Sequence, residues 1–326
     1  MNYVRLGKSN LKVSRLCLGA MGFGSAGWRA WVLDEKASAP IVARALDHGI
    51  NFFDTCDFYS AGESERILGQ ILVLKQPRDS FVIATKAGNP MAAHCNGRGY
   101  SRKHLFKAID DSLVRLGTDH VDLFQTHIWD KDTDLDELVD AMADIVRAGK
   151  ALYVGVTTMP GWTLAKCRAA ASARDLPAFI SMQCEYNPAH RECERELLAY
   201  CRHDDVALIP FSPIARGFLA ADRRNPGQQT ARTKSDDYTQ RYYHRDGDHA
   251  VREAVAAVAA DIGKTLAQVA LAWTLARPGI TAPIFGATST DHVDEAVAAL
   301  DIVLTPEHID RIDGAYEPRP LNASGH

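Results

Sequence analysis

No stretch of this chain approaches the ~18 consecutive apolar residues of a membrane span, and neither sign of charge forms a block. With 37 basic against 41 acidic residues, the formal net charge is only −4. That balance argues against nucleic acid or an anionic membrane as partner, so any anion site must be local. A disulfide framework is missing as well. The seven cysteines, at 17, 56, 95, 167, 184, 193 and 201, are odd in number and include no CxxC pair. The opening MNYVRLGKSN has no apolar core of signal-peptide length. A reduced, cytoplasmic protein is the expectation, and in that setting the glycosylation-like Asn322-Ala-Ser324 carries no weight.

What is present is a rhythm. Short apolar runs occur at 16–19, 51–54, 81–85, 121–125, 152–156, 180–183, 207–211 and 282–285, with helical patterns between them. In 134–148, Leu135, Leu138, Val139, Met142, Ile145 and Val146 form one apolar stripe. Thr133 with Asp136 gives that helix a start signal and Gly149 a stop. Residues 101–117 repeat the grammar, with Leu105, Ile109, Leu113 and Leu116 facing inward. Strands spaced by one helix each imply right-handed βαβ units and a parallel sheet. Eight such units close into a (β/α)8 TIM barrel, one α/β domain over 1–326. Two strands within 1–16 form a hairpin ahead of it. The polar, arginine-rich span 221–249 breaks the rhythm and suits a flap over a bound ligand.

Gly22-Phe-Gly24-Ser-Ala-Gly27 spells a dinucleotide-binding fingerprint, but that motif needs a helix opening at its third glycine and an acid about 20 residues on. Here the helix start signal comes near Asp34, and Asp54 lies too far along. The match is a loop at the barrel mouth.

Chemistry-bearing residues follow the apolar runs. Asp54 and Tyr59 come after Asn-Phe-Phe, Lys86 after Phe-Val-Ile-Ala-Thr, and His127 after Val-Asp-Leu-Phe-Gln-Thr. A barrel gathers such strand-end residues on one rim, where it keeps its chemistry. Adding a hydride to a carbonyl carbon requires a proton for its oxygen. A tyrosine can give one, although its free pKa near ~10 makes it a weak acid. A neighbouring Lys86 would favour the phenolate and ease proton loss. Asp54 would hold that lysine, and His127 would orient the substrate oxygen. Trp28, Trp31, Phe58 and Trp129 supply flat walls suited to an aromatic, cyclic or sugar-like carbonyl compound.

Asn51-Phe-Phe-Asp54-Thr-Cys-Asp-Phe-Tyr59, Ile83-Ala-Thr-Lys86 and Phe124-Gln-Thr-His127 closely resemble the aldo-keto reductase signatures. The likeness runs on through Gly149–Gly155, Ser181–Asn187, Phe211–Gly217 and Gln268–Trp273, and is nearest the bacterial branch with longer loops. It implies the tetrad Asp54, Tyr59, Lys86 and His127 with Tyr59 as general acid, and NADPH bound without a Rossmann motif. It also implies cofactor positions: Asp54; Thr157, Thr158 and Gln183 at the nicotinamide carboxamide; and Phe211 stacked on the nicotinamide ring. Ser212, Pro213, Ile214, Arg216 and Gly217 would run beside the pyrophosphate. Gly286, Thr288, His292 and Glu295 would surround the adenosine and its 2′-phosphate, and Trp129 would line the substrate pocket. Residues 286–296 hold no arginine or lysine, which keeps NADH possible; Arg216, Arg232 or Lys234 would have to supply the charge. The likeness implies a small-molecule carbonyl or alcohol as partner and leaves oligomeric state open. A cofactor-binding regulatory subunit on the same fold is the alternative. A metal-dependent barrel hydrolase is less favoured, because the strand ends lack an HxH pair and Lys86 would intrude.

Overall fold

The computed structural model describes residues 1–220 and 241–318. A two-stranded antiparallel hairpin, β1 (Tyr3–Arg5) and β2 (Lys12–Ser14), comes first. Eight parallel strands follow: β3 (Cys17–Gly19), β4 (Phe52–Asp54), β5 (Val82–Ala87), β6 (Val121–Thr126), β7 (Ala151–Thr157), β8 (Ser181–Gln183), β9 (Ala207–Leu208) and β10 (Ile284–Gly286). They pair in the order β10-β3-β4-β5-β6-β7-β8-β9. Bridges from Leu208 to Ile280 and from Phe211 to Ile284 join the two ends, which makes the (β/α)8 barrel.

Around it lie α1 (Glu35–Asp47), α2 (Glu63–Leu68), α3 (Arg102–Leu116), α4 (Leu135–Arg147), α5 (Gly161–Ala173), α6 (Leu197–His203), α7 (Asp246–Ile262), α8 (Leu266–Leu275), α9 (Thr290–Ala298) and α10 (Pro306–Asp313). Ser101 caps α3 by accepting from the His104 amide, and Gly117 ends it in the left-handed conformation. The start of α4 differs from expectation. Asp134, not Thr133, is the cap, because its carboxylate accepts the amides of both Asp136 and Glu137. No single helix among the described residues is long and apolar enough to cross a membrane.

Two apolar layers result from the alternation of strand side chains. Cys17, Phe52, Val82, Ala84, Leu123, Ala207 and Ile284 fill the barrel, whereas Leu18, Phe53, Ile83 and Phe124 face the helices. Leu6 and Val13 of the hairpin belong to the inner layer, so the hairpin plugs the N-terminal end. Gly7, at φ +58°, is required there: a Cβ would lie 2.6 Å from the Ile180 carbonyl oxygen. Arg15 ties the plug to the segment that leads into β10, through the carbonyls of Leu275, Ile280 and Thr281.

The polar span 221–249 is described only from residue 241 onward. Residues 221–240, including Arg232 and Lys234, lie outside the described residues. Asp246 to His249 form the first turn of α7, and Tyr243 is buried, donating to Glu185 while accepting from Asn187.

Candidate active site

The inward register continues upward along the strands. Phe52 points into the barrel, so Asp54 does too; Val82 and Ala84 are followed by Lys86, and Leu123 by Gln125. Polar residues thereby replace apolar ones over the C-terminal layer. The Lys86 ammonium, 1% exposed, donates to Asp54 Oδ1 at 2.6 Å and to the Thr55 carbonyl at 2.7 Å. It stands 3.5 Å from the Tyr59 phenol oxygen. Asp54 is 3% exposed, and its other oxygen accepts from Gln183 at 2.7 Å and Gln125 at 3.4 Å.

Tyr59 reaches this cluster because the chain after β4 stays paired with β5. The Thr55 and Asp57 amides donate to the carbonyls of Ala84 and Lys86. A tight turn, with Ser60 and Ala61 left-handed, then holds the phenol over the barrel. The decoy glycine loop packs against that turn: Ser60 Oγ accepts the Ser25 amide, and a Cβ on Gly24 would lie 2.4 Å from Ser60. No helix opens at Gly27; α1 starts at Glu35 under an Asp34 cap.

The rings of Tyr59 and His127 meet edge to face at 5.6 Å. Two residues not singled out in the sequence orient His127. The Asn89 amide lies 2.7 Å from Nδ1, and the Tyr100 hydroxyl accepts the His127 backbone N–H at 3.0 Å. Asn89 follows Lys86 by three residues, so its place on the β5 loop was a signal available in the sequence. With the Asn89 amide donating to Nδ1, the proton of a neutral ring sits on Nε2.

Electrostatics add a burial cost to the expected effect of Lys86. Burial pushes the Tyr59 phenol well above its ordinary value, and Lys86 opposes that shift without reversing it. Tyr59 is therefore held protonated rather than made strongly acidic. Burial also acts to lower the Lys86 ammonium, but Asp54, with Tyr59 and Cys56, outweighs it and keeps the lysine charged. Burial and the nearby Lys86 charge hold His127 well below the usual imidazole range. The centre thus offers a protonated phenol, an ammonium and a neutral imidazole around one point at the barrel mouth.

Among the expected cofactor positions, Thr157 ends β7 with its hydroxyl buried and, among the described residues, without a hydrogen-bond partner. Thr158 is left-handed; its amide donates to the Gln183 carbonyl and its hydroxyl to the His127 carbonyl. The amide nitrogen of Gln183 is engaged by Asp54. Phe211 is half-buried at the rim. After it, Ser212, Ala215 and Arg216 are all left-handed, in the turn that also holds Pro213, Ile214 and Gly217. Gly286 ends β10, and Thr288 and His292 bond each other in the open. Glu295 accepts from Thr265, and Asp294 is paired with Arg44 and His48 at 2.6 Å each.

The expected substrate wall divides. Trp28 packs edge-on to Phe58 at 6.2 Å and beside Tyr59 at 6.4 Å. Trp31 is 6% exposed, with the Arg29 guanidinium 5.7 Å from its ring centre. Trp129 is half-buried against the outer core.

The model of the Aldo/keto reductase family matches residues 15–317. A versiconal hemiacetal acetate reductase of Aspergillus parasiticus is 39% identical over 99% of each chain. An aldo-keto reductase of Metarhizium robertsii is 35% identical, covering 100% of this chain and 93% of its own. An oxidoreductase of Bacillus subtilis is 36% identical over 94% of this chain and 93% of its own.

Proposed function

Because the chain belongs to the aldo/keto reductase family, and is on that ground a carbonyl-reducing oxidoreductase, we propose that it uses NADPH to reduce an aldehyde or ketone to an alcohol, reversibly, with Tyr59 as general acid. The observation that carries this reading is the convergence of Tyr59, Lys86, Asp54 and His127 at the open end of the barrel.

The residues fit a nicotinamide cofactor. Thr157 keeps a buried hydroxyl with no partner among the described residues, the kind of group a carboxamide would satisfy. Phe211 offers a ring face at the rim. The left-handed turn 212–217 and the start of α9 suit phosphate oxygens. When bound, the cofactor supplies the hydride; the protein manages the oxygen.

His127 donates from Nε2 to the carbonyl oxygen and fixes its angle. As negative charge develops on that oxygen, the phenol proton of Tyr59 moves to it. An alkoxide is a much stronger base than a phenolate, so the transfer runs downhill even from a phenol raised by burial. Lys86 then faces the new phenolate at close range and stabilises it where water is excluded. Asp54 keeps the ammonium aimed, and is itself aimed by Gln183. On the substrate side, Trp28 and Phe58 favour a flat, apolar carbonyl compound. A relative named for a hemiacetal acetate is in keeping with that.

The test follows loss of reduced-nicotinamide absorbance over a carbonyl panel, with NADPH and NADH in parallel. Tyr59→Phe should bind cofactor as the parent does while losing about 10²–10⁴ in turnover, the usual worth of a positioned acid. Undiminished turnover would refute the assignment, and cofactor binding without turnover of any carbonyl by the parent would favour a regulatory subunit.

A further inference from the structure

Beneath the phenol, the buried charges pair off with one remainder. Lys86 is matched by Asp54 at 2.6 Å, and Arg115 by Glu65 at 2.6 Å. Asp57 belongs to neither pair. It is 1% exposed, and among the described residues no side chain donates a hydrogen bond to either of its carboxylate oxygens. Its amide donates to the Lys86 carbonyl at 3.1 Å, which pins the main chain so that the side chain has no easy route to water. A carboxylate oxygen of Asp57, the Cys56 sulfur and a ring nitrogen of His127 all lie within 4.8 Å of one another.

An ionised, unpaired carboxylate in such a place is costly, and the group neutralises itself instead. Every neighbouring element contributes a charge or a titratable group. Cys56 and Tyr59 flank Asp57, and Asp54 stands below. Glu65 comes from α2, Lys86 from β5, Arg115 from α3 and His127 from the end of β6. Burial and then Glu65 raise the Asp57 carboxyl; Arg115, the adjacent Phe58 amide and Lys86 act against them, and the result is a carboxyl pushed up to about 8.

We propose that Asp57 is held as the neutral acid under the active centre and acts as a positioning residue that sets the alkaline limit of carbonyl reduction. While neutral, it leaves the Lys86 field on Tyr59 uncancelled. Once ionised, it places a negative charge within 4.8 Å of a His127 nitrogen, and the His127 ring packs on Tyr59. Negative charge there disfavours the phenolate that proton donation must create. Reduction therefore slows as pH rises through the Asp57 titration.

Infrared spectroscopy of the wild-type protein, titrated from pH 6 to 10, is the direct test. A protonated-carboxyl band should be present at neutral pH, fade around pH 8, and be missing from Asp57→Asn. The kinetic arm rests on the carbonyl-reductase reading. There, the turnover number for reduction should fall about ten- to a hundredfold across the same range in the wild type, the effect of one added charge at this distance. In Asp57→Asn that limb should be flat. The infrared arm reads Asp57 whether or not any carbonyl is turned over, so failure of the two ideas is distinguishable. No titrating carboxyl band in the wild type overturns the proposal even if the variant fails to fold. An Asp57→Asn pH profile that superimposes on the parent's overturns it too, since a purely structural role would alter stability and leave the profile alone.

Discussion

Lys86→Met removes the ammonium but keeps a side chain of similar length. The lost contacts are the bonds to Asp54 and to the Thr55 carbonyl, at 2.6 and 2.7 Å. Asp54 then keeps only neutral amide donors, from Gln183 and Gln125, in a site sealed from water. Breaking one side of a buried ion pair costs about 3–5 kcal/mol, and that loss should appear in denaturant unfolding. Tyr59 simultaneously loses the strongest influence opposing its upward shift. Turnover should drop by about 10²–10⁴. The double variant Asp54→Asn, Lys86→Met separates the two effects. It removes the stranded charge, and the amide oxygen it introduces in place of the carboxylate still accepts from Gln183, so stability should return to within about 1 kcal/mol of the parent. Activity should not return. A single variant that loses under about 1 kcal/mol, or a double variant as active as the parent, would refute the account of this pair.

Two further predictions concern His127 and the phosphate corner. The folded-state value of His127 is depressed below 6.5, so its contribution to stability is fully present above about pH 6.5 and lost as pH falls from there toward the depressed value. His127→Gln should flatten that acidic slope in unfolding measurements; an unchanged slope would place the titration elsewhere. Thr288→Arg should raise the preference for NADPH over NADH by about tenfold, because a charge-assisted pair replaces neutral donors. An unchanged cofactor ratio would move the 2′-phosphate away from α9.

The barrel strands were legible because parallel strands covered on both faces read as unbroken apolar runs. The reactive set was legible because period two carries Phe52 to Asp54 and Val82 to Lys86 on the same face. Relations between distant segments were not. Nothing local announces that the Tyr100 hydroxyl reaches the His127 backbone, that Gln183 bonds Asp54 from 129 residues away, or that Asp57 stands outside both buried ion pairs. The cap of α4 was misplaced because Thr133 and Asp134 are both good caps in sequence, and only the carboxylate's reach to two amides decides between them. Tyr59 looked acidified because the adjacent cation is visible in the sequence, whereas the larger cost of burial is not.

The hairpin plug has a kinetic corollary. With Leu6 and Val13 stoppering one end of the cylinder, traffic to Tyr59 shares a single doorway. A molecule seated deep behind a later arrival cannot depart first. On the reading proposed above, with a nicotinamide coenzyme lying deeper than the carbonyl compound, turnover should follow a fixed queue, coenzyme first in and last out, and product-inhibition patterns should display that sequence.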